Sequence, residues 1–207
     1  GSGKSTLINL IPRYYDVTKG SVKVDGVDVR DMTQKELRDK LGYVPQKGVL
    51  FSGTIDSNIR YGKPEITDAR VKEAAEVAQA TEFIDTKPEK YESPVSQGGT
   101  NVSGGQKQRL SIARAIAKDP EIFIFDDSFS ALDFKTDSQL RKALKEYTKD
   151  ATTVIVAQRI STILGADQII VLDDGHMAGI GTHKELMANC EVYQQIARSQ
   201  LSEEELA

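Results

Sequence analysis

The sequence has one cysteine, no tryptophan and no long hydrophobic run. The lone Cys190 excludes an internal disulfide and is typical of a protein in a reducing compartment. The longest apolar runs, at 122–125 and 154–157, have the length of β-strands and fall well short of the roughly 18 residues that span a bilayer. The net charge is −4, with acidic and basic residues interspersed, so we expect no nucleic-acid partner. These 207 residues suffice for one globular domain with a hydrophobic core.

Hydrophobic periodicity and turn signals predict helices and strands in the first half of the chain. A loop at 93–101 interrupts a long polar helical stretch that runs from Thr54 to about Ala117. The other predicted elements are a helix over about 4–14, a hairpin over 21–29 that turns at Asp25-Gly26, a helix over 33–42 with Thr33 and Glu36 as a capping box and Gly42 as its stop, and a short strand over 42–46.

The second half of the chain alternates between strands and helices. The predicted elements are a buried strand at 121–126, a helix at 140–148, strands at 152–157, 167–175 and 176–181, and two terminal helices, the first capped by Thr182 with Glu185. Such alternation predicts an α/β fold with a mostly parallel sheet flanked by helices. The helical stretch in the first half is then an insertion into that sheet.

The sequence opens on Gly-Ser-Gly-Lys-Ser-Thr at residues 1–6, which has the composition of a phosphate-binding loop. Glycines let successive backbone N–H groups converge on an anion, while Lys4 offers a charge for the β- and γ-phosphates and Ser5 a hydroxyl for Mg²⁺. The predicted helix after the loop directs its positive N-terminus to the same place. A chance loop of the same composition is the alternative.

Two acidic residues, Asp126 and Asp127, follow the predicted buried strand at 122–125. In α/β sheets, ligands bind at the carboxyl ends of the strands. We therefore expect Asp126 to hold Mg²⁺ through water. An ordinary surface turn after a strand is the alternative.

A second glycine-rich helix start lies at Ser103, Gly104 and Gly105, before an amphipathic helix. It predicts a second anion site at a helix N-terminus. One chain has little use for two γ-phosphate sites around one nucleotide, whereas in a two-fold dimer each subunit could close over the nucleotide held by the other. A plain Ser-Gly helix cap is the alternative.

In their order and spacing these motifs resemble the nucleotide-binding domain of ABC transporters, and the resemblance covers the whole chain. Residues 1–6 match the end of the Walker A loop, Gln46 the Q-loop, 103–106 the signature, Asp126 the end of the Walker B strand and 130–133 the D-loop. The resemblance implies a P-loop NTPase fold, with a RecA-like core at 1–53 and 118–207 and a helical subdomain at 54–117.

The resemblance also implies ATP and Mg²⁺ as ligands. ATP binding is expected from Gly1, Ser2, Gly3, Lys4, Ser5, Thr6 and Gln46. The metal is expected at Ser5, Gln46 and Asp126, and the D-loop is represented by Ser130 and Asp133. The signature residues Ser103, Gly104, Gly105 and Gln106 are expected to meet the ATP of a second nucleotide-binding domain.

The context at 51–59 and 166–186 looks like the exporter branch of the family, in which this domain follows a membrane domain. The resemblance implies a fragment of a half-transporter that starts inside Walker A and lacks the first strands and the aromatic that stacks on adenine. The missing strand before Gly1 is expected beside the Walker B strand.

Two positions depart from the family pattern. Asp127 stands where the family usually has the glutamate that polarises water, and Gln158 where it usually has histidine. Aspartate is one methylene shorter, and a misplacement of that order costs about a hundredfold in rate. Glutamine cannot carry the positive charge that would stabilise the transferring phosphoryl group. We therefore expect ATP to bind well at this chain's own site and to be hydrolysed slowly, with Asp127 and Gln158 as its catalytic residues.

The resemblance predicts an exporter ATPase at the cytoplasmic face of the cell membrane. Its expected partners are transmembrane domains, through their coupling helices, and a second nucleotide-binding domain of a heterodimer, whose competent site the signature completes. The region after Gln46, including 51–59, is expected to receive the coupling helices. An active homodimeric exporter ATPase and a soluble ABC ATPase without a membrane domain are the alternatives.

Overall fold

The computed structural model describes residues 2–206, which form ten α-helices and nine strands. The helices are α1 (Lys4–Ile8), α2 (Gln34–Asp39), α3 (Ile55–Ile59), α4 (Asp68–Val77), α5 (Thr81–Thr86), α6 (Gly104–Ala117), α7 (Phe134–Tyr147), α8 (His183–Asn189), α9 (Glu191–Gln200) and α10 (Glu203–Leu206). The strands are β1 (Lys23–Val24), β2 (Val27–Asp28), β3 (Leu41–Val44), β4 (Gly53–Thr54), β5 (Pro94–Val95), β6 (Ile122–Asp126), β7 (Thr152–Val156), β8 (Ile169–Asp173) and β9 (His176–Gly181).

The central sheet is parallel, with β6 between β3 and β7. The predicted α/β fold with a parallel sheet is confirmed. The other ladders are antiparallel pairs: β1 with β2, β4 with β5, and β8 with β9. The hairpin turn at Asp25-Gly26 is also confirmed, since both residues have the positive φ that a tight two-residue turn needs.

Both faces of β6 are buried, as is usual for parallel sheets. Phe123 and Phe125 belong to the main core, which they share with residues of α3, α4 and α6. Ile124 points to the opposite face and packs with Ile8 of α1 and Val156 of β7. This contact fixes helix α1 on the face of the sheet opposite the main core.

Three predicted helix ends differ from the observed ones. The first helix ends at Ile8, not near Tyr14, and residues 9–13 form turns, because Pro12 has no N–H to donate to the carbonyl of Ile8. Helix α2 has the predicted capping box of Thr33 and Glu36, but Gly42 lies inside β3. A Cβ at Gly42 would lie 2.7 Å from Cγ of Pro120, so glycine is needed there for close packing. Helix α7 starts at Phe134, not at Leu140, because Asp133 caps it.

The terminal region has three helices, not two, because residues 203–206 form α10. Thr182 caps α8 as predicted. The expected place for a strand before Gly1, beside the Walker B strand, is wrong, because β6 already pairs on both edges. Within residues 2–206, no helix combines the length and the apolar character needed to cross a bilayer.

Residues 54–117 are largely helical, as predicted. Ile55 of α3, Val71 of α4 and Leu110 of α6 share one apolar cluster with Val44 and Phe125 of the sheet. The insertion therefore packs continuously against the sheet. Its separation as a subdomain at 54–117, from a core at 1–53 and 118–207, stays a prediction.

Candidate functional site

The carboxyl ends of the three parallel strands carry the predicted site residues. Gln46 lies after β3 and Gln158 after β7. Asp126 is the last residue of β6, and Asp127 follows it. Because neighbouring parallel strands end at the same edge of a sheet, these residues share one edge. Helix α1, packed on the sheet through Ile8, starts at this edge.

Ser5 and Asp126 meet directly. The Ser5 hydroxyl donates to Oδ1 of Asp126 at 3.2 Å, although the two residues are 121 positions apart. Gly3 precedes the helix with a φ of 96°, in the left-handed region that glycine adopts without strain. A hydroxyl beside a carboxylate, with Gln46 close by, offers the few hard oxygen ligands with which proteins hold Mg²⁺ next to phosphates. This donor set fits the ion that the sequence predicts.

Asp126 has a second neighbour, Tyr43, in β3. The Tyr43 hydroxyl lies 3.4 Å from Oδ2 of Asp126 and 3.2 Å from Oδ1 of Asn9, so its one proton serves either acceptor. Burial, reinforced by the charge of Asp126, raises the pKa of Tyr43 to about 12. Tyr43 therefore stays a neutral donor at physiological pH. Asn9 is the C-cap of α1, so the phenol links that helix to the end of β6.

Asp127 is held by several contacts. Its backbone N–H donates to the carbonyl of Val156 at 2.8 Å, and its Oδ2 accepts from Nε2 of Gln46 at 3.2 Å. Its φ of 50° lies in the left-handed region, which aspartate tolerates better than most residues do. Burial and the neighbouring Asp126 raise the pKa of the Asp127 carboxyl, while Lys4 and Arg159 lower it.

The signature residues start α6. Ser103 accepts from the backbone N–H of Gln106, and the Gln106 side chain accepts from the backbone N–H of Ser103, which completes a capping box. A Cβ at Gly105 would lie 3.4 Å from the carbonyl oxygen of Ala131, so the signature and the D-loop are adjacent. The Ser130 hydroxyl donates to the carbonyl of Asp127 at 3.2 Å, and Asp133 caps α7.

The structure brings together Ser5, Gln46, Asp126 and Asp127, and the D-loop joins them through Ser130. Among the described residues, no hydrogen bond joins this group to the signature or to the exposed Gln158 side chain. Lys4 and Thr6 are exposed residues of α1, and Ser2 precedes the helix. The predicted role of Gly1 lies outside the described residues.

Sequence reasoning missed Tyr43 and Asn9. Tyr43 is the one strand residue in β3 with a polar tip, two positions before the proline that ends the strand. A hydroxyl in a buried strand beside the acidic strand end is a signal that could have found it. Asn9 gives no such signal, because the sequence places it inside the predicted helix at about 4–14.

Comparison with known protein families matches residues 1–130 to the ABC transporter family. The chain belongs to this family. It is 49% identical over 203 residues to an uncharacterized ABC transporter ATP-binding protein of Mycobacterium tuberculosis (strain ATCC 25618 / H37Rv), covering 97% of this chain and 34% of that protein. It is 48% identical over 196 residues to a putative multidrug export ATP-binding/permease protein of Staphylococcus aureus (strain NCTC 8325 / PS 47), covering 95% of this chain and 34% of that protein.

Among solved structures, the chain resembles a bacterial Atm1-family ABC exporter with ATP bound. The TM-score is 0.92 at 40% sequence identity, covering 97% of this chain and 35% of the exporter chain. The predicted P-loop fold of ABC ATPases is confirmed by this match. The chain spans about one third of the length of the relatives that it matches.

Proposed function

We propose that this chain is the ATP-binding domain of an ABC exporter, which couples ATP binding and hydrolysis to the export of a substrate. The observation that carries the proposal is the meeting of Ser5 with Asp126 and of Gln46 with Asp127 at one edge of the parallel sheet. The exporter branch is supported by the similarity to a putative multidrug export protein and to an Atm1-family exporter.

In this proposal ATP lies at the start of α1. The loop at 1–6 and Lys4 bind its phosphates, while Ser5, Gln46 and Asp126 hold Mg²⁺ directly or through water. ABC ATPase domains in general bind ATP and Mg²⁺. When bound, the ion supplies positive charge that neutralises the phosphate oxygens. Tyr43 helps to orient Asp126 when its hydroxyl donates to the carboxylate oxygen that Ser5 does not use.

The chain's own site is proposed to hydrolyse ATP slowly. The Asp127 side chain is one methylene shorter than the glutamate usual in the family, and Gln46 holds its Oδ2. The raised pKa of the Asp127 carboxyl favours a role as general base. Its shorter side chain, however, leaves the carboxylate about 1 Å from the position of the family's glutamate carboxylate. Gln158 can donate a hydrogen bond to phosphate but brings no charge.

The signature is proposed to complete the competent site of a partner domain. Its capping box is intact, and the adjacency of Gly105 to Ala131 presents signature and D-loop together. A degenerate own site with an intact signature is the pattern of heterodimeric exporters. The proposed partner is therefore a half-transporter with its own complete site.

The coupling helices of the membrane domains are proposed to dock near Phe51 and Tyr61. These two exposed rings stack at 4.3 Å between centroids, and the Arg114 guanidinium lies 5.3 and 5.5 Å from them. Beside them is a groove of about 330 Å³ lined in part by Tyr14, Arg38 and Tyr61. Aromatic and arginine side chains are enriched at protein interfaces. Such docking would place this domain at the cytoplasmic face of the cell membrane.

The test is ATP turnover of the complete transporter in lipid nanodiscs, with whatever half-transporter co-purifies, before and after Asp127→Ala. We expect less than about a twofold change, because turnover would occur at the partner's site. Asp150→Ala, which removes an exposed carboxylate just before β7, at the opposite end of that strand from Gln158, is the matched control.

A collapse of turnover in Asp127→Ala would make Asp127 a working base and would favour an active homodimer. Lys4→Ala tests the binding of ATP itself. If filter binding finds the same affinity for ATP in Lys4→Ala as in the wild type, residues 1–6 are not a phosphate loop.

A further inference from the structure

The side chain of Gln200, the last residue of α9, spans the loop that carries Gln158. Its Nε2 donates to the carbonyl of Gln158 at 2.8 Å, and its Oε1 accepts from the backbone N–H of Ile160 at 2.7 Å. One amide therefore pairs with two backbone groups, as a neighbouring strand would. Both bonds are short, and they cross 42 and 40 positions of the sequence.

The loop at 157–160 is fixed at both ends. Upstream, the carbonyl of Val156 accepts from the backbone N–H of Asp127 at 2.8 Å. Downstream, Ile160 starts a 3-10 helix whose N-cap residue, Arg159, offers no side-chain cap. Gln200 fills that gap by accepting from an N–H that the helix leaves without a partner.

Apolar packing supports the same connection. Ile160 is buried against α9 and the chain that follows it, in a cluster that includes Ala197 and Leu201. The main core of the sheet and α6 is a separate cluster. Because α9 contacts the loop through both Ile160 and Gln200, a shift of α9 moves the backbone of Gln158.

We propose that Gln200 is a positioning residue that holds the loop at 157–160, so that Gln158 is presented to the γ-phosphate of ATP. This inference rests on the proposed function, since it takes Gln158 to contact the nucleotide. It adds that helix α9 controls how long this site retains ATP.

The first measurement is hydrogen exchange at the Ile160 amide in the complete protein. Gln200→Ala is expected to raise its exchange rate about tenfold, as the loss of one to two hydrogen bonds implies. Gln200→Glu keeps an acceptor for Ile160 but loses the donor to Gln158, so protection of Ile160 is expected to survive. Gln195→Ala, an exposed glutamine on the same helix, is the matched control and is expected to leave the rate unchanged.

The second measurement is the rate at which mant-ATP with Mg²⁺ leaves the complete protein. Gln158→Ala is expected to raise the rate about tenfold through a lost hydrogen bond to phosphate. Gln200→Ala should raise it severalfold, and the double variant should match Gln158→Ala alone. A purely structural Gln200 would give additive effects in this cycle.

The outcomes separate the two ideas. If Gln158→Ala speeds release but Gln200→Ala adds its effect in full or has none, the positioning role is wrong while the proposed site stands. If Gln158→Ala leaves release unchanged, both the contact of Gln158 with ATP and its positioning by Gln200 are wrong. Unchanged exchange at Ile160 in Gln200→Ala would show that Gln200 does not hold the loop.

Discussion

Replacement of Gly48 by alanine should destabilise the fold through one backbone contact. Gly48 lies two residues after Gln46, where the chain crosses α6. A Cβ there would lie 2.8 Å from both the carbonyl carbon and the oxygen of Lys107, and 3.0 Å from the backbone nitrogen of Gln108. These are helix backbone atoms, so they cannot turn aside as the end of a side chain would.

The size of the effect follows from this overlap. An added carbon in a well-packed site costs about 1–3 kcal/mol. For a domain of this size each kcal/mol lowers Tm by about 2–4 °C, so Gly48→Ala should lower Tm by about 2–12 °C. The segment cannot simply lift away, because Nε2 of Gln108 donates to the carbonyl of Pro45 at 3.1 Å and the Ser128 hydroxyl donates to that of Val44 at 2.8 Å.

The assay is calorimetric melting of the purified protein, with Gly165→Ala as the control. A Cβ at Gly165 meets no atom within 4 Å, so this variant should melt within about 2 °C of the wild type. Equal melting temperatures for both variants would refute the reasoning that the close approach of residue 48 to α6 is rigid. A drop for Gly48→Ala alone would support it.

Three further predictions test other contacts. Burial raises the pKa of the Asp127 carboxyl, so the contribution of this carboxyl to stability is present in acid and is lost as pH rises. Asp127→Asn should therefore raise Tm at pH 7 and raise it less near pH 3.5. An equal gain in Tm at both pH values would contradict this linkage. Asn58 is buried and pairs with both backbone groups of Phe51 at 2.8 Å, so Asn58→Ala should lower the free energy of unfolding in urea by about 2–4 kcal/mol, and a loss below about 0.5 kcal/mol would oppose it. Ser103→Ala should cost about 1 kcal/mol in the same assay and Ser103→Gly only a few tenths, since glycine is tolerated as an N-cap; equal losses would count against the capping role.

The parts of the site that sequence could predict follow local rules. Gln46, Asp126 and Asp127 each stand at the end of a recognisable buried strand, and parallel strands bring such ends together. The capping box of Thr33 and the cap of Thr182 each need only residues three positions apart, and the structure has both where the sequence predicts them.

The parts that sequence could not predict depend on contacts between distant positions. Gln200 reaches its partners across about 40 residues, and Tyr43 meets Asp126 across 83, with no local pattern to mark either contact. The predicted first helix extends past Ile8 because apolar residues continue after that position. In the structure the chain instead turns between Ile8 and Pro12. The position of a strand beside β6 was wrong because strand order is set by the whole sheet.

The anchoring of Arg114 makes one end of α6 a pivot. Its guanidinium donates to the carbonyls of Val49 and Asn58 at 2.8 and 2.9 Å, so the segment around Phe51 and this end of α6 turn as one body. Burial lowers the pKa of Arg114 to about 10, which still leaves it charged in the cell. Eleven residues of helix, about 16 Å at 1.5 Å each, separate this pivot from Ser103. A rotation of α6 by roughly 10° about Arg114, together with the segment at 45–51 that is bonded to it, would move Ser103 through about 3 Å, which is the length of one hydrogen bond.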